Sequence, residues 1–148
     1  MSTDAKITKD LIQTLQDGED GFAKVAEKMA DSDTPELGST MRRLSEQRAQ
    51  FRGELDELAK AYGDDIDESG STTAAVHRGW ISLKDAMTGS SPTGVLKAAE
   101  TGEEHAVKEY DRALEADVSE GLRTVVARQR EAIVAARDEV KVLVAQQS

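Results

Sequence analysis

There is no cysteine in the chain, and that removes disulfides, a thiol nucleophile and any thiolate metal site at once. Aromatic residues make up only 3%, too few to stack on single-stranded nucleic acid. Basic residues are outnumbered, 19 against 29 acids, for a formal net charge of −10. Nucleic acid and anionic membranes both require a basic face, so neither is expected as a partner. No apolar run approaches the roughly 18 residues that a membrane span needs. The opening MSTDAKITKD is polar and shows no signal-peptide pattern, so a cytoplasmic location is the expectation. Proline is nearly missing, with two in 148 residues. What remains is rich in alanine, leucine, glutamate, lysine, arginine and glutamine, a helix-forming composition.

Apolar residues recur at helical spacing. The first stripe runs Ile7, Leu11, Leu15, Phe22, Val25 or Ala26, Met29, and the second Leu37, Met41, Leu44, Phe51, Leu55, Leu58, Tyr62. A short one follows at Val76, Trp80, Leu83, Met87. The last two run Val95, Ala99, Ala106, Tyr110, Ala113 and Leu122, Val126, Ile133, Ala136, Val140, Leu143. Thr34-Pro35 and Ser91-Pro92 each read as an N-cap followed by proline at the first helical position. Gly63 and Gly89 fall where helices should stop, and Ser119 can cap the last one. No segment alternates with a period of two, so no sheet is expected.

The chain also resembles itself. DGEDGFAKVAEKMAD (17–31) aligns with TGEEHAVKEYDRALEAD (101–117), placing Glu19 on Glu103 and Gly18 on Gly102 at an offset of 84. The stripes of the helices that follow match at an offset of 85. The expected fold is therefore all-α: an antiparallel four-helix bundle of ferritin-like connection, made of two repeated hairpins (about 4–62 and about 92–145). An extra short helix (about 71–88) lies in the crossover, and all of 1–148 forms one domain.

Glu19 lies four residues after Leu15 and three before Phe22. Glu103 stands in the same relation to Ala99 and Ala106. At 100° per residue both carboxylates fall in their stripes and should project into the interior. A buried carboxylate needs a partner or its pKa rises. Three partners are open: a divalent metal such as iron, manganese or zinc; an internal cation; or a proton or water shared by the two acids. Arg48 lies in the stripe between Leu44 and Phe51, level with Glu19, and is the internal-cation candidate for a buried ion pair with it. The metal reading wants Glu-x-x-His on the second and last helices. Only Glu46-x-x-Ala49 and Glu131-x-x-Val134 stand there, and Glu46 should face solvent. Gln47 and Gln129 lie nearer the interior but are poor ligands. His105 is a weaker outer candidate.

DGEDGF, EQRAQF (46–51), HRGWISLK (77–84) and TGEEHAVKEY, in this order, resemble an uncharacterised bacterial ferritin-like four-helix-bundle family, a domain of unknown function. The resemblance covers about residues 4–145 and implies a distant relation to rubrerythrin and ferritin. It carries Glu19 and Glu103 over as the metal-ligand glutamates of the first and third bundle helices. The two histidines of that pattern do not carry over.

Other candidates are weaker. Asp65-Ile-Asp67-Glu-Ser69-Gly70 opens like an EF-hand loop, but its twelfth position is Val76, so an acidic loop is the expectation. His77 reads as a packing histidine and Trp80 as the anchor of the short helix. No nucleophile–base pairing, phosphate loop or H-x-x-x-H occurs. The favoured function is non-enzymatic, a structural, interaction or stress-related bundle with a degenerate metal site, its protein partner unknown and a homodimer possible. The alternative is a redox or metal-storage protein built on Glu19 and Glu103.

Overall fold

The computed structural model describes residues 3–30, 35–61 and 92–147. They form four helices: α1 (Thr3–Ala30), α2 (Pro35–Lys60), α3 (Pro92–Glu115) and α4 (Glu120–Gln147). No strand occurs among the described residues. Both prolines open a helix, where a missing N–H removes no hydrogen bond and the fixed φ already suits the helix. At the start of α4 the Ser119 hydroxyl accepts from the Leu122 N–H at 3.4 Å, the expected cap. Arg123 closes the preceding turn by donating to the carbonyls of Leu114 (2.7 Å) and Ala116 (3.1 Å). The short crossover helix, His77, Trp80, the EF-hand-like loop, Thr34, Ser91, Gly63 and Gly89 lie outside the described residues.

Side-chain pairs fix the directions. Arg43 meets Glu139 and Glu54 meets Arg128, both at 2.6 Å, so α2 and α4 run antiparallel. Glu104 meets Lys141 (3.0 Å) and Asp111 meets Arg130 (2.5 Å), so α3 and α4 are antiparallel too. Asp4 accepts from the Ser119 N–H, which brings the start of α1 to the end of α3. Arg52 pairs with Glu19, and Gly38 approaches Ala26 and Ala30, which places α2 antiparallel to α1. The order is up, down, down, up. Helices α2 and α3 therefore run in the same direction and face each other across the bundle rather than as neighbours.

The core has two parts. One gathers Phe22, Val25 and Met29 with Met41, Leu44, Leu96, Ala99 and Val140. The other gathers Leu11, Leu15, Phe51, Leu55, Tyr110, Leu122, Val126 and Ile133. Every helix contributes to both. Burying aliphatic and aromatic groups at about 25 cal/mol per Å² holds each part together. Between them, near residues 18, 45–48 and 103, the interior is not apolar.

Candidate functional site

At this level stand Gly18 of α1, Ser45 and Arg48 of α2, and Glu103 of α3. Arg48 is 1% exposed and Glu103 is 0% exposed. The guanidinium donates through Nη1 to Glu103 Oε1 at 2.5 Å and through Nη2 to Oε2 at 2.6 Å. This two-pronged geometry is the strong form of a charge-assisted hydrogen bond. Arg48 Nε donates to Gln47 Oε1 at 3.2 Å. The guanidinium carbon lies 5.2 Å from the centre of the Phe22 ring, within cation–π range. A Cβ on Gly18 would stand 3.4 Å from both Cγ and Nη1 of Arg48. A methyl group there would touch the arginine stem and head at ordinary van der Waals distance, so the arginine packs directly on the glycine backbone.

Two expectations need correction here. Arg48 does pair with an interior glutamate, but with Glu103 and not Glu19. Glu19, expected in the interior, is 27% exposed and is held by Arg52 at 2.9 Å. Its carbonyl accepts from the Ser45 hydroxyl at 2.8 Å. The reason is helical phase. The stripe of α1 steps from Leu15 by three to Gly18 and by four to Phe22, and Gly18 is the buried position. Glu19, 100° further round, falls on the α1–α2 seam. Glu19 and Glu103, aligned with each other in the sequence, thus occupy different environments, one at a seam and one buried.

The remaining metal candidates lie apart from this layer's centre. Glu46 and Glu131 are exposed, and His105 is half-buried. Among the described residues no group of three His, Asp or Glu side chains is placed to hold a metal ion. The donor set at the centre does not fit a divalent ion either. Both oxygens of Glu103 accept from a permanently charged guanidinium, which would repel a second cation.

A second polar chain adjoins the layer, and sequence reasoning did not find it. The Tyr110 hydroxyl donates to Gln129 Oε1 at 2.7 Å. Gln129 Nε2 donates to the Phe51 carbonyl (3.2 Å) and to Glu54 Oε1 (3.1 Å). Tyr110 and Gln129 are both fully buried. Burial pushes the Tyr110 hydroxyl well above the ordinary tyrosine value, and the charge of Arg48 offsets only part of that rise. Burial alone would raise the Glu54 carboxyl, but hydrogen bonds from Arg128 and Gln129 outweigh it and hold it below the ordinary value. The available signal was Gln129 itself, an amide at an interior position of α4 facing a stripe tyrosine on α3.

The third feature is at the α1–α3 seam, where Ile7, Asp10, Leu11, Glu109, Arg112 and Ala113 line a small cleft. Glu109 is buried and accepts from Arg112 at 2.6 Å. Burial raises its carboxyl above the ordinary value; Arg112 opposes this and Asp10 adds to it.

The arrangement ties helices together through hydrogen-bonded polar groups: Arg48 with Glu103, and Gln129 with Tyr110 and Glu54. Among the described residues no helix is long and apolar enough to cross a membrane. No curated protein matches the chain. One family model does match, over residues 5–116, and the chain belongs to that family, described as a domain of unknown function (DUF2383).

Proposed function

We propose that this chain is a ferritin-like helical bundle with a structural or interaction role, not an enzyme, whose centre carries an ion pair in place of a metal. The up, down, down, up order supports the ferritin-like reading, because that order needs one long connection between the second and third helices. The single observation that carries the functional reading is the carboxylate of Glu103, buried with both oxygens on Arg48. A redox or storage centre needs carboxylates that turn to an ion, and this one is turned to an arginine. A stress-related role belongs to the same reading by fold analogy alone.

The test is metal content by plasma mass spectrometry, on protein purified without chelator or affinity tag and again after incubation with iron, manganese or zinc. The expected result is no stoichiometric metal in the wild type. Near-stoichiometric metal in the wild type, lost in a Glu19→Gln/Glu103→Gln variant, would overturn the proposal and establish the carboxylate-bundle alternative.

A further inference from the structure

We infer that the centre of the bundle is a cation site of guanidinium type, which the chain fills with its own Arg48. This rests on the reading above in one respect, that no metal takes the same place. The lining of the site specifies the class of cation. Glu103 offers two oxygens side by side, the edge that a planar fork of N–H donors matches. The Phe22 ring offers a π face 5.2 Å from the guanidinium carbon. Gln47 Oε1 accepts a hydrogen bond from the Nε–H. The backbone of Gly18 forms a close wall along the stem and head, with room for no more than a methyl group in contact with Cγ and Nη1. A flat, delocalised, weakly hydrated cation suits one carboxylate and one ring. A hard divalent ion wants about six oxygens in a shell around it.

The position of the site says what the cation does there. It lies between the two parts of the core, and it joins α2 to α3, which are not neighbours in the bundle. Apolar side chains interdigitate and resist small slips, but a stripe that repeats every turn meets a similar surface again after a slip of one whole turn. A two-pronged bond between Arg48 and Glu103 does not, because a shift of one turn moves the partners about 5.4 Å apart. The pair therefore fixes the level of α2 against α3, in the layer between the two parts of the core.

The experiment is thermal unfolding of Arg48→Ala, followed by far-ultraviolet circular dichroism, with methylguanidinium added at millimolar concentration and methylammonium as the control. Removing one partner of a buried pair should lower the midpoint by about 10 °C. Methylguanidinium should restore about 4 °C of it at ten times its dissociation constant, and methylammonium much less. The wild type, whose site is filled, and Arg48→Ala/Glu103→Gln, whose anion is gone, should not respond to methylguanidinium. An Arg48→Ala variant that responds to neither cation, or to both equally, would overturn the inference. Should that variant fail to fold, Arg48→Lys decides. It keeps the charge and loses the fork, so its midpoint should fall by several degrees; an unchanged midpoint would overturn the inference. Metal bound to the wild type would overturn the proposed function instead, so the two failures read differently.

Discussion

Gly38 and Gly53 sit in the same helix in opposite surroundings. A Cβ on Gly38 would stand 3.2 Å from the Ala26 carbonyl oxygen and 3.4 Å from the Ala30 nitrogen. Both are backbone atoms of α1, so the hairpin itself would have to open by a few tenths of an ångström. Around Gly53 a Cβ would meet nothing within 4 Å. Alanine restricts the unfolded chain and favours the helix, so Gly53→Ala should stabilise by about 0.5–1 kcal/mol. Gly38→Ala gains the same helical preference and loses more to the forced separation, so it should destabilise. Urea unfolding of the two variants decides this; equal shifts of one sign would refute the close approach. Glu109 carries a prediction of its own. Its folded-state carboxyl binds its proton more tightly than the unfolded chain does. Its contribution to stability is present below the unfolded value, about pH 4.3, and is lost as pH rises through the folded one. Glu109→Gln should therefore be more stable than the wild type at pH 7, with the difference shrinking toward pH 4. A less stable variant at pH 7 would mean that the exposed Arg112 bond outweighs burial.

At the scale of the element, one polar side chain of α4 reaches two other helices. Gln129 bonds Tyr110 on α3, and the Phe51 carbonyl and Glu54 on α2. Tyr110→Phe leaves a buried amide oxygen without its donor, at a cost of about 1–3 kcal/mol. Gln129→Leu leaves the buried hydroxyl of Tyr110 without its acceptor. The double variant should cost clearly less than the two single losses together, because the second change removes the group that the first one stranded. Additive losses in chemical denaturation would show that the two side chains act independently. The elements were the legible part of this chain. Stripes at helical spacing, Pro35, Pro92 and Ser119 place the four helices, since each signal is local. Arg48 was legible too, as a cation on an apolar stripe. Its partner was not. Glu19 and Glu103 both lie in sequence stripes, and the choice between them depends on which helices face each other across the bundle. Periodicity does not encode that. In α1 the true interior position at this level is a glycine, which has no side chain to mark it. Glu19, one residue on, therefore looked like the inward residue. The contact between Tyr110 and Gln129 was hidden for the same reason, each being readable only on its own helix.

Across the whole molecule, the family match ends at residue 116 while the packing does not. Helix α4 supplies Leu122, Val126 and Ile133 to one part of the core and Ala136 and Val140 to the other. The four larger side chains are buried to 1% exposure or less. Each contributes about 1.5–3 kcal/mol by leaving water, so together about 6–12 kcal/mol. The whole stability of a domain this size is about 5–15 kcal/mol. Without α4 the inward faces of α2 and α3 would also be open to water along their length, and Tyr110 would lose its acceptor. Residues 1–116 alone should therefore give no cooperative unfolding transition by circular dichroism, and should recover one only when a peptide of residues 117–148 is added. A sharp transition in the shorter chain at low concentration, independent of that peptide, would show that three helices suffice and that the charged layer of Arg48 and Glu103 holds without its fourth wall.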